Sequence, residues 1–297
     1  MNLDAWKSGG REFDFDGRPV FFRHDGAGPA LLVIHGFPTA SWDWHRLWPG
    51  ITARFEAVAC DMLGFGFSAK PVDYSYSILD QATLQERLCD SLGISRVSIL
   101  CHDYGCSVTQ ELLARFIERS KDGRDGLTID GICMLNGGLF PEAHQSTLAQ
   151  KVGLSKAAPF LAKLMNESFF AKSLGEVFAP ATRPTRDEMH DLWRLASYNE
   201  GTRVHPKILR YVPERTRYRQ RWVGAMQEAR IPLRFINGIA DPVSGRAMGE
   251  RYLQLIPNPD VVFLDRVGHY PQLEAPDLTW QHASDFLRNL SVVATST

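Results

Sequence analysis

Asp103 stands between small residues where an apolar run gives way to an amphipathic one. The stretch reads Ile99-Leu100-Cys101-His102-Asp103-Tyr104-Gly105-Cys106. Val97–Leu100 predicts a short buried strand, and Ser107–Glu118 predicts an amphipathic helix. Small flanks at Cys101 and Gly105 let the chain reverse tightly, which holds the central side chain open at a strand's carboxyl end. The usual residue at the centre of such an elbow is serine. An aspartate there attacks as a carboxylate and needs no base to activate it. Its natural electrophile is an sp3 carbon bearing a leaving group, such as an epoxide or a carbon–halogen bond. The product is an ester on the enzyme. Water must then attack the Asp103 carboxyl carbon, so an oxyanion hole serves the second step. The competing reading of this stretch alone is an Asx turn capping the helix.

A water-activating base fits at His269, in Val267-Gly268-His269-Tyr270-Pro271 just after the last predicted strand. Asp241, after the preceding strand, can hold His269 in one tautomer and stabilise its charged form. Another place for the acid falls near Asn136, which cannot carry the charge. The acid is therefore assigned to Asp241, with Asp265 the alternative. The oxyanion hole is assigned to the backbone N–H groups of Phe37 and Tyr104. His35 reads as a structural histidine bonding loop backbone, and Gly64 and Gly66 as a tight turn beneath the site.

The elements that must position these groups follow from periodicity. Glu12–Asp16 and Val20–Arg23 flank an Asp16-Gly17 turn and predict a hairpin. Ala30–Ile34, Ala57–Cys60, Ile129–Leu135, Pro232–Ile236 and Val261–Leu264 predict strands, and Ser77–Leu92, Arg246–Leu255 and Leu278–Leu290 predict helices. Alternating strands and helices imply a mostly parallel, doubly wound α/β sheet with an antiparallel start. Between about Leu139 and Val223 the alternation stops. That helical, proline-broken stretch reads as a cap inserted between core segments 1–138 and 224–297. Arg215, Arg217, Arg219 and Arg221 recur every second residue there. On one helix they would spread around the cylinder, so they read as a solvated, ion-paired face rather than a phosphate site.

The chain of 297 residues is 44% hydrophobic and 23% charged, which suits a soluble globular protein. Its net charge of −1 implies no nucleic-acid or anionic-membrane partner. No apolar run approaches the roughly 18 residues of a membrane span. Met1–Gly10 lacks the apolar core of a secretory leader. The five cysteines, Cys60, Cys89, Cys101, Cys106 and Cys133, form no metal-binding or paired spacing and read as buried thiols of a cytoplasmic protein. No metal or organic cofactor is expected, since nucleophile, base and oxyanion hole complete a cycle. The expected partner is a small apolar or aromatic substrate, with a homodimer left open.

The Asp-centred elbow, His35-Gly36-Phe37-Pro38, Asp61-Met62-Leu63-Gly64-Phe65-Gly66-Phe67-Ser68, Asp241 and His269 together resemble the α/β-hydrolase superfamily. The branch resembled is that of epoxide hydrolases and haloalkane dehalogenases, over roughly residues 11 to 290. The resemblance implies an eight-stranded, mostly parallel sheet with helices on both faces and an inserted helical cap. It also implies cap tyrosines that donate a proton to an epoxide oxygen. Tyr218, beside Arg219, resembles the context of one such tyrosine, with Tyr198 or Tyr211 as the second. Haloalkane dehalogenases resemble the chain in nucleophile, base and acid, but usually carry a halide-binding Trp where Tyr104 stands and a polar residue where Phe37 stands. Relatives that hold a substrate carboxylate do so by an arginine near the nucleophile, a role that neither Tyr104 nor Cys106 can fill. The implied activity is epoxide hydrolysis, with haloalkane dehalogenation or ligand binding without turnover as alternatives.

Overall fold

In the computed structural model, which describes residues 1–294, eight strands form one sheet. They are β1 Arg11–Asp14, β2 Pro19–Asp25, β3 Ala30–Ile34, β4 Glu56–Cys60, β5 Arg96–His102, β6 Thr128–Leu135, β7 Leu233–Gly238 and β8 Asp260–Leu264. Their order across the sheet is β1-β2-β4-β3-β5-β6-β7-β8. β2 runs antiparallel to β1 and β4, and every other pairing is parallel. Parallel pairing is why the carboxyl ends of β3, β5, β7 and β8 gather at one edge, where the candidate side chains lie. Asp16 and Gly17 both take positive φ, 53° and 76°, as the predicted hairpin turn requires.

Central strands are buried on both faces, which is why they read as unbroken apolar runs. Leu32, Ile34, Ile99 and Cys101 pack into one layer, while their neighbours Leu31, Val33 and Leu100 pack into the other. This is the two-residue period of a strand. The helix Ile78–Ser91 starts where Ser77 Oγ accepts from Asp80 N–H at 3.2 Å. The helix Tyr104–Asp122 stops at Gly123, at φ +64°. A helix at Leu3–Ser8 that periodicity did not mark buries Leu3 and Trp6. All five cysteines are free and buried. Among the described residues, no helix is long and apolar enough to cross a membrane.

Between β6 and β7 every element is helical, from the short turn Pro141–Ala143 to Arg219–Glu228. The last helix crosses the expected boundary at 223 and docks on the core helix Tyr104–Asp122. Its anchor is Glu111, whose side chain is 2% exposed. Glu111 accepts from Arg221 Nε at 2.7 Å, Trp222 Nε1 at 2.8 Å and Arg115 Nε at 2.9 Å. Burial alone would raise its pKa, but these bonds outweigh it and hold the group ionised below its ordinary value. Removing the carboxylate strands the buried Trp222 Nε1–H without its acceptor and leaves Arg221 only Glu118. Glu111→Ala should therefore cost about 3 kcal/mol in urea denaturation. A loss under about 0.5 kcal/mol would show that water replaces the anchor.

The arginine run does not lie on one cylinder. Tyr218 breaks the helix, at φ −101° and ψ 14°, so Arg215 and Arg217 end one helix while Arg219 and Arg221 begin the next. Arg219 pairs with Glu142, and Arg221 with Glu111 and Glu118, as a solvated face would. Arg215 contradicts that reading. It is 2% exposed and points inward.

Candidate active site

Asp103 sits on the turn between β5 and the helix Tyr104–Asp122, at φ +44° and ψ −108°. That conformation costs a non-glycine residue about 1–3 kcal/mol and persists only where the surroundings over-determine it. They do so here by close approach. A Cβ at Gly105 would lie 2.5 Å from the Ile34 carbonyl oxygen. A Cβ at Gly36 would lie 3.0 Å from the Asp103 Cβ. Asp103 N–H donates to Leu135 O at 3.2 Å, and Cys106 N–H donates to Asp103 O at 3.0 Å. These contacts hold the carboxylate at the joined strand ends, where it is 3% exposed.

The predicted base and acid meet it there. His269 Nε2 is 3.9 Å from Asp103 Oδ2, and His269 Nδ1 is 2.7 Å from Asp241 Oδ2. Asp241 also accepts from Ser244 Oγ at 2.7 Å, Val243 N–H at 2.7 Å and Asn136 Nδ2 at 2.9 Å. Asn136 further accepts from Gly238 N–H at 2.7 Å, so it ties the end of β6 to the end of β7. The residue that could not serve as the acid thus positions the acid. Asp265, the alternative, is exposed and takes no part.

Burial on its own would strip the proton from His269. The charge of Asp241 and bonding to both carboxylates outweigh burial and raise its pKa to about 10. Burial likewise opposes the charges on Asp103 and Asp241, yet both fall below the usual carboxylate range. For Asp103 the opposing causes are His269, Arg215 and His102, and for Asp241 they are His269, Asn136 and Ser244. At neutral pH the resting group is an imidazolium between two carboxylates.

Phe37 N–H donates to Asp103 Oδ2 at 3.0 Å, so one predicted oxyanion donor already touches the predicted nucleophile. Tyr104 opens the helix, and its N–H has no acceptor within that helix. His35 is buried. Its Nε2 accepts from Met62 N–H at 3.0 Å, so Nδ1 carries the proton and donates to Gly36 O at 2.8 Å. That is the expected loop-fixing role. Gly66, at φ +46°, leaves no room for a Cβ, which would fall 2.1 Å from Asp61 Oδ2.

The tyrosines separate. Tyr218 packs against Trp222, with ring centroids 5.2 Å apart, at the helix break. Tyr198 is 38% exposed beside Phe67, Lys7 and Lys70. Neither is placed at Asp103. Tyr211 is. Its ring lies 4.9 Å from that of Tyr104 and 4.4 Å from the Arg215 guanidinium. It is buried, and its hydroxyl makes no well-formed hydrogen bond among the described residues, although Gln150 and Arg215 approach it. Burial and the nearby Asp103 charge push its pKa up, so the hydroxyl keeps its proton.

Two further groups escaped the sequence reading. Arg215 Nη2 is 3.6 Å from Asp103 Oδ1, and its Nε donates to Ser107 Oγ at 2.7 Å. The elbow's flanks offer no cation, but the inserted segment supplies one. His144, in the loop after β6, is electrostatically coupled to Arg215, Asp103 and His269. Burial first, and then Arg215, lower its pKa to about 4. Tyr211 and Arg215 stand four apart on one helical face, and Gly137-Gly138 signals close approach. Those were the available clues. No pattern marks His144.

Residues 29–276 match the family described as the alpha/beta hydrolase fold. The chain is 41% identical over 285 residues to the mesoderm-specific transcript protein of Mus musculus, covering 92% of this chain and 84% of that one. Among solved structures, it is similar to haloalkane dehalogenase DbeA from Bradyrhizobium elkani, with a TM-score of 0.79 and 21% identity over 96% and 99% of the chains. It is also similar to the epoxide hydrolase CorEH, with a TM-score of 0.77 and 17% identity over 95% and 99%. At such identities the structural likeness concerns the fold.

Proposed function

Because the chain belongs to the α/β hydrolase family, we propose that it hydrolyses an epoxide, or a similar sp3 electrophile, through an ester on Asp103. The carrying observation is the nucleophile itself. A buried carboxylate stands at the elbow with Oδ2 bound to Phe37 N–H, leaving Oδ1 to attack. Oδ1 forms a bond to an epoxide carbon as the carbon–oxygen bond breaks, and Tyr211 gives its proton to the alkoxide. The tyrosinate recovers a proton from the His269 imidazolium, whose hold on it weakens once Asp103 has lost its charge. Neutral His269 then takes a proton from water, and the hydroxide adds to the Asp103 carboxyl carbon. The resulting oxyanion faces the Phe37 and Tyr104 N–H groups. Collapse releases the diol, the carboxyl proton passes to the departing oxygen, and Asp103 and protonated His269 are restored. Phe37, with Phe65, His205 and Tyr211 around its ring, suits a small apolar or aromatic substrate body. No metal or organic cofactor is called for in this cycle.

A haloalkane is the second reading, favoured by an Arg215 N–H that has no partner and can hold a halide. Against it, the Tyr104 ring, where those dehalogenases carry Trp, is buried among Phe65 and Tyr211.

The test is single-turnover hydrolysis of an epoxide panel in heavy-oxygen water. Label should enter Asp103 and later the diol. Halide release from a parallel haloalkane panel, with no label from epoxides, would favour the second reading. Silence in both would make the chain a ligand-binding protein on a hydrolase scaffold. Tyr211→Phe should slow epoxide opening by about 100-fold while leaving ester hydrolysis within a few-fold, as rapid quench would resolve. Equal slowing of both steps would remove Tyr211 as the proton donor.

A further inference from the structure

Buried polar groups gather around Arg215, whose Nη2 lies 3.6 Å from Asp103 Oδ1. Arg215 Nη1, Tyr211 Oη and both ring nitrogens of His144 are buried without a well-formed hydrogen bond among the described residues, although the Gln150 side chain approaches both Tyr211 and His144 and Arg215 approaches Tyr211. The Arg215 side chain is 2% exposed and Tyr211 is 1% exposed. Leaving such donors unmet is costly, and an unmet guanidinium is costlier than a hydroxyl. The chain makes room for this one. A Cβ at Gly138 would fall 2.1 Å from Arg215 Nη1. Its Nε is held by Ser107 Oγ at 2.7 Å and its Nη2 by Asp103 O at 3.4 Å, so the head group is fixed while Nη1 stays uncommitted.

The charge on Arg215 sharpens the question. Among the described residues, Asp103 is the one carboxylate within 4 Å of it. The proposed ester would neutralise Asp103. A neutral substrate would then leave the buried guanidinium with no carboxylate against it at the intermediate, an unfavourable state even though the more distant Asp241 still balances the summed charge. A substrate that brings its own negative charge removes that cost. The open atoms suit such a group. Arg215 Nη1 is donor-only, and neutral His144 offers one N–H. A carboxylate is acceptor-only, planar and singly charged, so it matches a guanidinium edge and the single uncommitted cation.

We infer that Arg215 and His144 bind a carboxylate of the substrate, next to the carbon that Asp103 attacks, while Tyr211 keeps its proton for the opened oxygen. The substrate class is an epoxy acid or a similarly activated short carboxylic acid with an apolar tail. The attacked carbon lies one or two bonds from the carboxylate, because the Arg215 that binds the carboxylate also lies against Asp103. The identity of the attacked group rests on the proposed function, whereas the anion site does not.

Two measurements on the intact protein separate the two claims. The first is calorimetric titration with butyrate, against butanamide as the neutral control. Butyrate should bind the wild type and butanamide should not. Arg215→Gln should abolish the binding and His144→Phe should weaken it about 10-fold or more. The second is the single-turnover rate of Asp103 esterification by 2,3-epoxybutyrate and by its amide. The acid should lead by about 100-fold, and Arg215→Gln should shrink that lead to within about 3-fold. If Arg215→Gln does not fold, Arg215→Lys keeps the charge but loses the planar fork and should cut the lead about 10-fold. Butyrate binding lost in the variant, with no ester from any epoxide, would uphold the anion site and remove the epoxide reading. Esters from the amide as fast as from the acid, with no butyrate binding in the wild type, would overturn the anion site and leave that reading standing.

Discussion

His269→Gln should stop the protein as a stable ester. Esterification draws on the Asp103 carboxylate, which stays ionised well below neutral pH, and on the Tyr211 proton, so a single turnover to the ester does not call on His269. Hydrolysis of the ester needs a base for water, and His269 is placed to be that base at 3.9 Å from Asp103 Oδ2. Glutamine fills similar space and cannot take the proton. Hydrolysis should fall by about 1,000-fold or more while esterification stays within about tenfold. Intact-mass spectra after incubation with an epoxide should show the protein heavier by one substrate. An unshifted mass under conditions where the wild type turns over would sink the covalent route. In the wild type the two steps should also differ in pH dependence. Esterification should be level from about pH 5 to 8, since Asp103 is ionised throughout. Hydrolysis should rise with pH as His269 of the ester loses its proton, at a value below the resting 10 because one of its two carboxylates has gone. The sign is the same for stability. His269 lies above its ordinary 6.5, so its contribution to folding is fully present below 6.5 and lost as pH rises through about 10.

Asp103→Asn should abolish turnover, by at least about 10,000-fold, without unfolding the protein. Asparagine tolerates the positive φ of the elbow and keeps the acceptor for Phe37 N–H. It loses the attacking oxygen and the charge. His269 should then release its proton below pH 10, visible as an earlier midpoint in an imidazole NMR titration. Turnover within tenfold of wild type would place the nucleophile elsewhere.

That Asp103, His269 and Asp241 meet could be read because each sits just past an apolar run, and parallel strands bring their ends together whatever the loops do. Small flanks marked the elbow, because Gly105 must clear the Ile34 carbonyl. The inserted segment was harder to read. Its contacts depend on how short helices tip against the core, and periodicity within one helix says nothing of that. The Arg215–Arg221 run misled because a break at Tyr218 splits it between two helices. That same break sets Tyr218 against Trp222, with ring centroids 5.2 Å apart. Asn136 looked unsuitable because acidity was sought there, when what the position supplies is a clasp between strands.

The burial of the site has a consequence for which reactions end cleanly. Asp103 and Asp241 carry two negative charges, and protonated His269 and Arg215 carry two positive ones. All four are at most 6% exposed. The enclosure is therefore electroneutral at rest. Opening an epoxide keeps it so, since the charge that leaves Asp103 for the alkoxide is cancelled by the proton that leaves His269. A carboxylate on the substrate offsets the sum equally before and after. Cleaving a carbon–halogen bond instead creates a free anion that must be held or must cross the walls before the next cycle. For a site this deeply buried, a reaction that sheds no ion is the easier one to repeat.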